Sequence, residues 1–365
     1  MIKDYRNFSS EYGTILAVLG GDSAGGRTIN LMDPPEHSRI RIPTMKLLST
    51  AAVQRHTARV RDRVRLILKP FLDEGELDVA PLMMRLPMAV IGDIVGVPEN
   101  EWPDVTQWTM SGVAPEDPMY SLGSVESTLN NAHLELFTLF RDLLRKRAAR
   151  PKDDIISALL QVEIAGKKLS QDDVILNCYS FVMGANTTTP HVASQLLLAL
   201  TERPEMWQSL RDGRISVGDA VEEGLRWATP TNHLVRRTTA AVELAGTRIE
   251  AGELVCGWVA SANRDETVFE RPYEFDPTRN PNPHLGFGHG IHYCNGAPGA
   301  RLVINQVLEE LLAGVERFES AGQVIHLRSN FINGITGLPV RTYPERHPGR
   351  IKVDMSATDA CPIRQ

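Results

Sequence analysis

His284-Leu285-Gly286-Phe287-Gly288-His289-Gly290-Ile291-His292-Tyr293-Cys294-Asn295-Gly296-Ala297-Pro298-Gly299-Ala300-Arg301 is the most informative stretch of the chain. Glycines at 286, 288 and 290 mark a backbone that bends where a Cβ would clash. One cysteine follows. From Gly296 onward an apolar face runs through Leu302, Ile304, Val307, Leu308 and Leu311 at helical spacing. The Cys294 sulfur is thereby expected at a helix N-terminus, where free N–H groups and the helix dipole favour a thiolate. A thiolate held in this way is a soft, anionic metal ligand. Other readings compete. The glycines do not complete a GxGxxG fingerprint from Gly286 or from Gly288. A zinc set of His289, His292 and Cys294 would need a further ligand, and no HExxH or CxxC partner is present. A lone structural cysteine leaves the glycines and the helix start unexplained.

The chain around this stretch has 365 residues and a net charge of −6, which argues against general nucleic-acid binding. Its apolar and charged fractions, 42% and 23%, match a globular protein and exclude disorder or coiled coil. Cys178, Cys256, Cys294 and Cys361 are far apart, which points away from a disulfide framework and toward a reducing cytoplasm. Met1–Arg6 shows no apolar core, so no signal peptide is read. Val174–Thr201 lacks Asp, Glu, Lys and Arg, but its Asn, Thr, Ser and His residues would be costly in lipid. It is expected to be a long buried helix, not a membrane span.

Helical periodicity covers about 36–49, 52–73, 80–95, 126–150, 155–162, 171–202, 204–212, 217–227 and 296–318. Strands are expected at Val235–Ile249 and Glu253–Val259 around a turn at Ala251-Gly252. Val324–Leu327 and Leu338–Tyr343 read as a second small sheet. The stretch between Asn263 and Gly290 is long, irregular and proline-rich, and loops of that length are usually functional. The expected architecture is mainly α with small appended β-sheets.

With these residues in view, the cysteine segment resembles the haem-ligand loop of the cytochrome P-450 superfamily, Phe-x-x-Gly-x-x-x-Cys-x-Gly. Phe287, Gly290, Cys294 and Gly296 match it, and Ala300-Arg301 also fits. The resemblance implies haem b with Cys294 as the proximal thiolate, which favours O–O cleavage. Asn295 and Gly299 depart from the aliphatic residues usual there. Glu223 and Arg226 resemble the family's ExxR helix, with Arg279 of Phe275-Asp276-Pro277-Thr278-Arg279 as third partner; the implied role is structural. His37 and Arg41 lie four apart on one helix face. With Arg236 and His292 they match the family's haem-propionate donors. In Met183-Gly184-Ala185-Asn186-Thr187-Thr188-Thr189-Pro190 the resemblance is to the oxygen-binding groove. There Gly184 would admit the haem and Thr187 would hydrogen-bond the bound oxygen. Asn186 stands where the family has an acid, and an amide cannot shuttle a proton as a carboxylate does.

The resemblance further implies one domain over 1–365, folded as a triangular helical prism with a long central helix over the haem. It implies a substrate pocket walled by Leu19–Leu31, Thr229–Val235 and Asn330–Thr336. Electrons are expected from a ferredoxin and its NAD(P)H-dependent reductase, since no flavin domain is fused. Arg55, Arg59, Arg61, Arg63, Arg65 and Lys69 form a basic helix that reads either as a solvated face or as part of a ferredoxin-docking surface. The implied activity is monooxygenation of a small amphipathic substrate, free or carrier-protein-bound, in natural-product tailoring. Oxidative coupling or ring closure, and a non-catalytic haem-binding remnant, are the alternatives. The family normally has a further segment before the part resembling Asp4–Ser10, holding the first helix and outer strands of the larger sheet. Either translation begins upstream of Met1 or this is a shortened member; if shortened, strands around 249–259 would lose edge partners, and exposed edges invite association.

Overall fold

The structure is a computed structural model that describes residues 1–18 and 21–345. Leu19 and Gly20, at the start of one expected pocket wall, lie outside the described residues. Helices Glu36–Leu48, Thr57–Glu74, Leu86–Val95, Val125–Ala149, Pro204–Arg211 and Val217–Ala228 fall where periodicity places them. The expected 52–73 helix begins instead as a separate turn, Thr50–Gln54. Likewise, a short Ala80–Met83 helix precedes Leu86–Val95. Helix Trp102–Val113 was not expected from the periodicity. Pro103 stands in its first turn, where the missing N–H costs nothing.

Two corrections concern long helices. The central helix is not continuous: it runs Gln171–Asn186, breaks at Thr187-Thr188, and resumes over Thr189–Thr201. Pro190 has no N–H to bond back across the break. The Thr187 and Thr188 hydroxyls donate to the carbonyls of Met183 (2.8 Å) and Gly184 (2.9 Å). The helix after Cys294 ends at Gly314, and Val315–Ser320 is a strand. No helix of the described residues is long and apolar enough to cross a membrane.

The sheets are small, and their pairing differs from the sequence reading. His233–Thr238 lies between Phe8–Ser9 and Leu254–Trp258, both antiparallel to it. Val242–Leu244 and Thr247–Ile249 form a separate hairpin. Pro339–Pro344 pairs with Val315–Ser320 and Glu76–Asp78, while Ile325–His326 pairs with Ile335–Gly337. The two expected partners, 324–327 and 338–343, therefore belong to different sheets. Leu254–Trp258 is an edge strand whose Leu254 and Trp258 side chains are exposed.

One apolar core joins most helices. Helix Ala297–Gly314 packs on Thr57–Glu74, Leu86–Val95 and Val217–Ala228, burying Val307, Leu308, Leu311 and Leu312. Each such side chain contributes about 1.5–3 kcal/mol. Gly299 lets the first turn of this helix approach Leu86–Val95: a Cβ there would meet Val90 Cγ1 at 3.2 Å. That explains one departure from the family pattern. Buried Asn177 fixes the glycine-rich loop to the central helix. Its amide donates to the Arg27 carbonyl (2.9 Å) and accepts from the Ile29 N–H (2.9 Å).

Candidate active site

The cysteine loop is held by its own backbone. The Cys294 N–H donates to the Phe287 carbonyl at 2.9 Å, closing the turn. Gly288 and Gly290 have φ of +68° and +74°, a region that penalises any Cβ. At Gly290 a Cβ would also stand 2.9 Å from the Ile2 carbonyl oxygen. Gly296 caps helix Ala297–Gly314, as the sequence implied. Burial pushes the Cys294 thiol up, while the Gly296 and Ala297 N–H groups and the charges of Arg41 and Arg301 favour the thiolate. Among the described residues no three His, Cys, Asp or Glu side chains gather as a metal site. His289, His292 and Cys294 therefore do not make a zinc centre.

A second network, which the sequence reading missed, ties this loop down. Arg301 grips Glu222 with two bonds, Nε–Oε1 at 2.5 Å and Nη2–Oε2 at 2.8 Å. His284 meets the same carboxylate at 3.1 Å. The Arg301 guanidinium also lies 4.5 Å from the Phe287 ring centre and donates to the Tyr293 hydroxyl. Burial alone would raise the Glu222 pKa, but Arg301 and His284 outweigh it and hold it at about 2. A depressed carboxylate stabilises the fold above its ordinary pKa of 4.5, and that contribution disappears as pH falls toward about 2. Acid titration of Glu222→Gln should lack a transition in the loop's near-ultraviolet circular dichroism that the parent shows in this window. Identical curves would refute the assignment.

The Glu223–Arg226–Arg279 network forms as expected. Arg226 and Glu223 are fully buried and bidentate, at 2.8 and 2.7 Å, and Arg279 Nε lies 3.5 Å from the same carboxylate. Arg226 also donates to the carbonyls of Asn263, Pro272 and Glu274. The Asp276 N–H and the Asn282 amide donate to Glu223. Between Asn263 and His289 no regular helix or strand forms, so this network fixes that stretch.

His37, Arg41, Arg236 and His292 converge, although three segments supply them. The His37 and His292 rings are 4.6 Å apart, and Arg41 donates to the Tyr293 carbonyl at 2.6 Å. Asp33 approaches His292 at 3.8 Å. Burial and the charges of His292 and Arg41 push His37 down to about 4. Burial also takes Arg236 down to about 10 and lowers Arg41 and His292. The shared direction is that of a buried cationic cluster short of anions.

On the central helix, Gly184 faces open space, with nothing within 4 Å of where a Cβ would be. Thr187 is buried beside the break. Asn186 is fully buried; its amide donates to Met88 Sδ at 3.4 Å, and its Oδ1 has no partner. A thioether only accepts weakly, so a carboxylate here would lack a donor. An amide suits this site better than the acid usual in the resembling family.

A family profile for cytochrome P-450 matches residues 217–321. Cytochrome P-450 NovI of Streptomyces niveus is 32% identical over 346 residues, covering 93% of this chain and 83% of the relative. The chain is a cytochrome P-450. Linalool 8-monooxygenase of Pseudomonas putida is 31% identical, over 89% of the chain and 80% of that enzyme. Among solved structures, P-450 OxyD, involved in the biosynthesis of vancomycin-type antibiotics, is 34% identical with a TM-score of 0.84, covering 93% of this chain and 85% of that one.

The P-450 has the mainly α fold of its family, is a monooxygenase, and takes haem b. Its residues fit that group. Among the described residues His37 Nε2 is buried without a partner, and the Arg236 side chain bonds only the Val235 carbonyl, at 2.7 Å. Two carboxylate-bearing arms would complete both. Most charges of the P-450's basic helix have partners within the protein. Arg59 and Arg63 pair with Asp93, Arg61 with Glu309, Arg65 with Glu310, and Lys69 with Asp73. The pairs with Asp93, Glu309 and Glu310 tie this helix to its neighbours, whereas Lys69–Asp73 lies within it, and Arg59, Arg65 and Lys69 remain largely exposed.

Proposed function

We propose that this P-450 oxidises a small amphipathic organic molecule in natural-product tailoring, with electrons from a ferredoxin and its NAD(P)H-dependent reductase. The carrying observation is the pairing of a loop-held Cys294 with the anion-deficient cluster of His37, Arg41, Arg236 and His292. Cys294 would ligate the iron, and the cluster would hold the propionates. When bound, thiolate-ligated haem supplies the dioxygen-activating chemistry. Phe287 and Gly296 shape the loop around the sulfur. The likeness to OxyD supports the tailoring role.

The remaining work belongs to the protein's own groups. Gly184 leaves the central helix open on the distal side. Thr187 Oγ1, now donating to the Met183 carbonyl, is the hydroxyl that turns to pass a proton into that space. Asn186 holds the helix break through Met88 and carries no exchangeable acid proton. Protons therefore reach Thr187 through water and the substrate's own hydroxyls, which also leaves room for oxidative ring closure. Thr229–Val235 and Asn330–Thr336 support each other as one wall: Thr231 bridges Ile332, and the Asn232 N–H donates to the Phe331 carbonyl at 2.9 Å.

Reconstitution with a surrogate ferredoxin and reductase tests the reading. Substrate should shift the ferric spin state and consume NAD(P)H with product formed; electron uptake without product across a broad panel would defeat it. Thr187→Ala should lower product formation about 10²-fold while leaving the substrate's spin-shift Kd unchanged, because general acid assistance is worth about 10²–10⁴. Reducing equivalents should then appear as hydrogen peroxide. Unchanged coupling would remove Thr187 from the proton path.

A further inference from the structure

Away from the cysteine loop, a cavity of about 540 Å³ lies among helices Thr57–Glu74, Leu86–Val95 and Trp102–Val113. None of Cys294, Phe287, Gly184, Thr187 or His37 lines it, and Thr336 is its only residue from the proposed substrate walls. Its volume falls within the roughly 300–1,000 Å³ usual for small-molecule sites. Its mouth is marked by Leu66 and Met119, which are 69% and 52% exposed, a cost that binding an apolar body would relieve. Fully buried Met88 lies at its floor, and Met84 and Trp102 are on its walls. Three methionines give a lining that adapts to a flexible aliphatic chain.

The rim decides the head group. Arg63 is already spent: it pairs with Asp93 and Glu99 and lies 4.5 Å from the Trp102 ring centre. Arg85 also lines the cavity and is exposed, and its guanidinium makes no ion pair or hydrogen bond among the described residues. One uncompensated cation over an apolar chamber selects an amphipathic monoanion. The geometry points to a second ligand site here, for a medium-chain aliphatic carboxylate with its tail among the methionines and its head on Arg85.

The site also reaches the distal helix. Met88 Sδ accepts the one side-chain hydrogen bond that Asn186 makes among the described residues. An occupant that repacks Met88 alters that bond, and with it the helix beside Gly184 and Thr187. This coupling rests on the proposed role of that helix; the binding site itself does not.

The test uses the haem-loaded full chain with its iron saturated by phenylimidazole, and dodecanoate as probe in calorimetry. One equivalent should still bind. Arg85→Glu should weaken it about tenfold, the loss expected for one charge-assisted contact. Thr106→Trp, which fills the groove, should abolish it. Dodecyltrimethylammonium should bind Arg85→Glu better than the parent. Complete displacement of dodecanoate by phenylimidazole, or equal affinity of parent and Arg85→Glu, would overturn the site. For the coupling, dodecanoate should change the phenylimidazole Kd in the parent but not in Met88→Leu, which keeps the cavity and loses the sulfur. An unchanged Kd in the parent would overturn the coupling and leave the site standing. Failure of the haem-thiolate reading would show separately, in the spectrum of the reduced carbon monoxide complex.

Discussion

Cys294→Ser abolishes the strongly red-shifted Soret band of the reduced carbon monoxide complex and takes turnover to background. Serine matches the cysteine in size, but its hydroxyl does not ionise at neutral pH and is a hard donor. The loop itself should survive, because its closing bond runs from the Cys294 backbone to the Phe287 carbonyl and does not involve the sulfur. Thermal unfolding should therefore change by only about 1 kcal/mol. No other cysteine among the described residues can substitute. Cys178 is buried in the core and burial pushes its thiol well up; burial also raises Cys256, on an edge strand. At Cys178 its own N–H opposes that rise, but neither thiol has the guanidinium charges found at Cys294. A retained red-shifted band in the variant would mean that a different side chain ligates the iron.

Arg226→Lys unfolds or empties the protein, at a cost of about 3–5 kcal/mol for breaking a buried ion pair. Lysine keeps the charge but offers three donors where arginine offers five. All five are engaged: two on Glu223, and three on the carbonyls of Asn263, Pro272 and Glu274. The loss therefore extends beyond one salt bridge to the irregular stretch that leads into the cysteine loop. For the same reason Glu223→Met with Arg226→Met should not recover stability, although simple buried pairs often tolerate such replacement. The Asn263 and Pro272 carbonyls would stay buried and lose their donor, and the Glu274 carbonyl would keep only Arg279. Urea denaturation and haem content measure both variants; a native-like midpoint in either would show that the stretch is fixed from elsewhere.

What could be read from the sequence was what is local in it. The cysteine loop shows itself because Phe287, Gly290, Cys294 and Gly296 sit within ten residues, and Glu223 and Arg226 because they share a helix turn. Glu222, Arg301 and His284 were missed because 62 and 79 residues separate the carboxylate from its partners. The arginines of Thr57–Glu74 looked free for the same reason, since Glu309 and Glu310 lie on a helix 245 or more residues away. Strand pairing failed where hairpins were assumed: Pro339–Pro344 chose Val315–Ser320 over its nearer neighbour. The break at Thr187-Thr188 lay in plain sight at Pro190, but the apolar period runs straight through it.

Asn177 touches the glycine-rich loop only through main-chain atoms, the Arg27 carbonyl and the Ile29 N–H. Such a tether is indifferent to what the loop residues are. Exposed positions such as Ser23 can therefore be exchanged without loosening that tether, while Ile29 and Leu31 stay buried, Arg27 pairs with Asp173, and Asn30 accepts from the Ser180 hydroxyl. The loop can thus vary in chemistry at its exposed positions while the scaffold that holds it stays as it is.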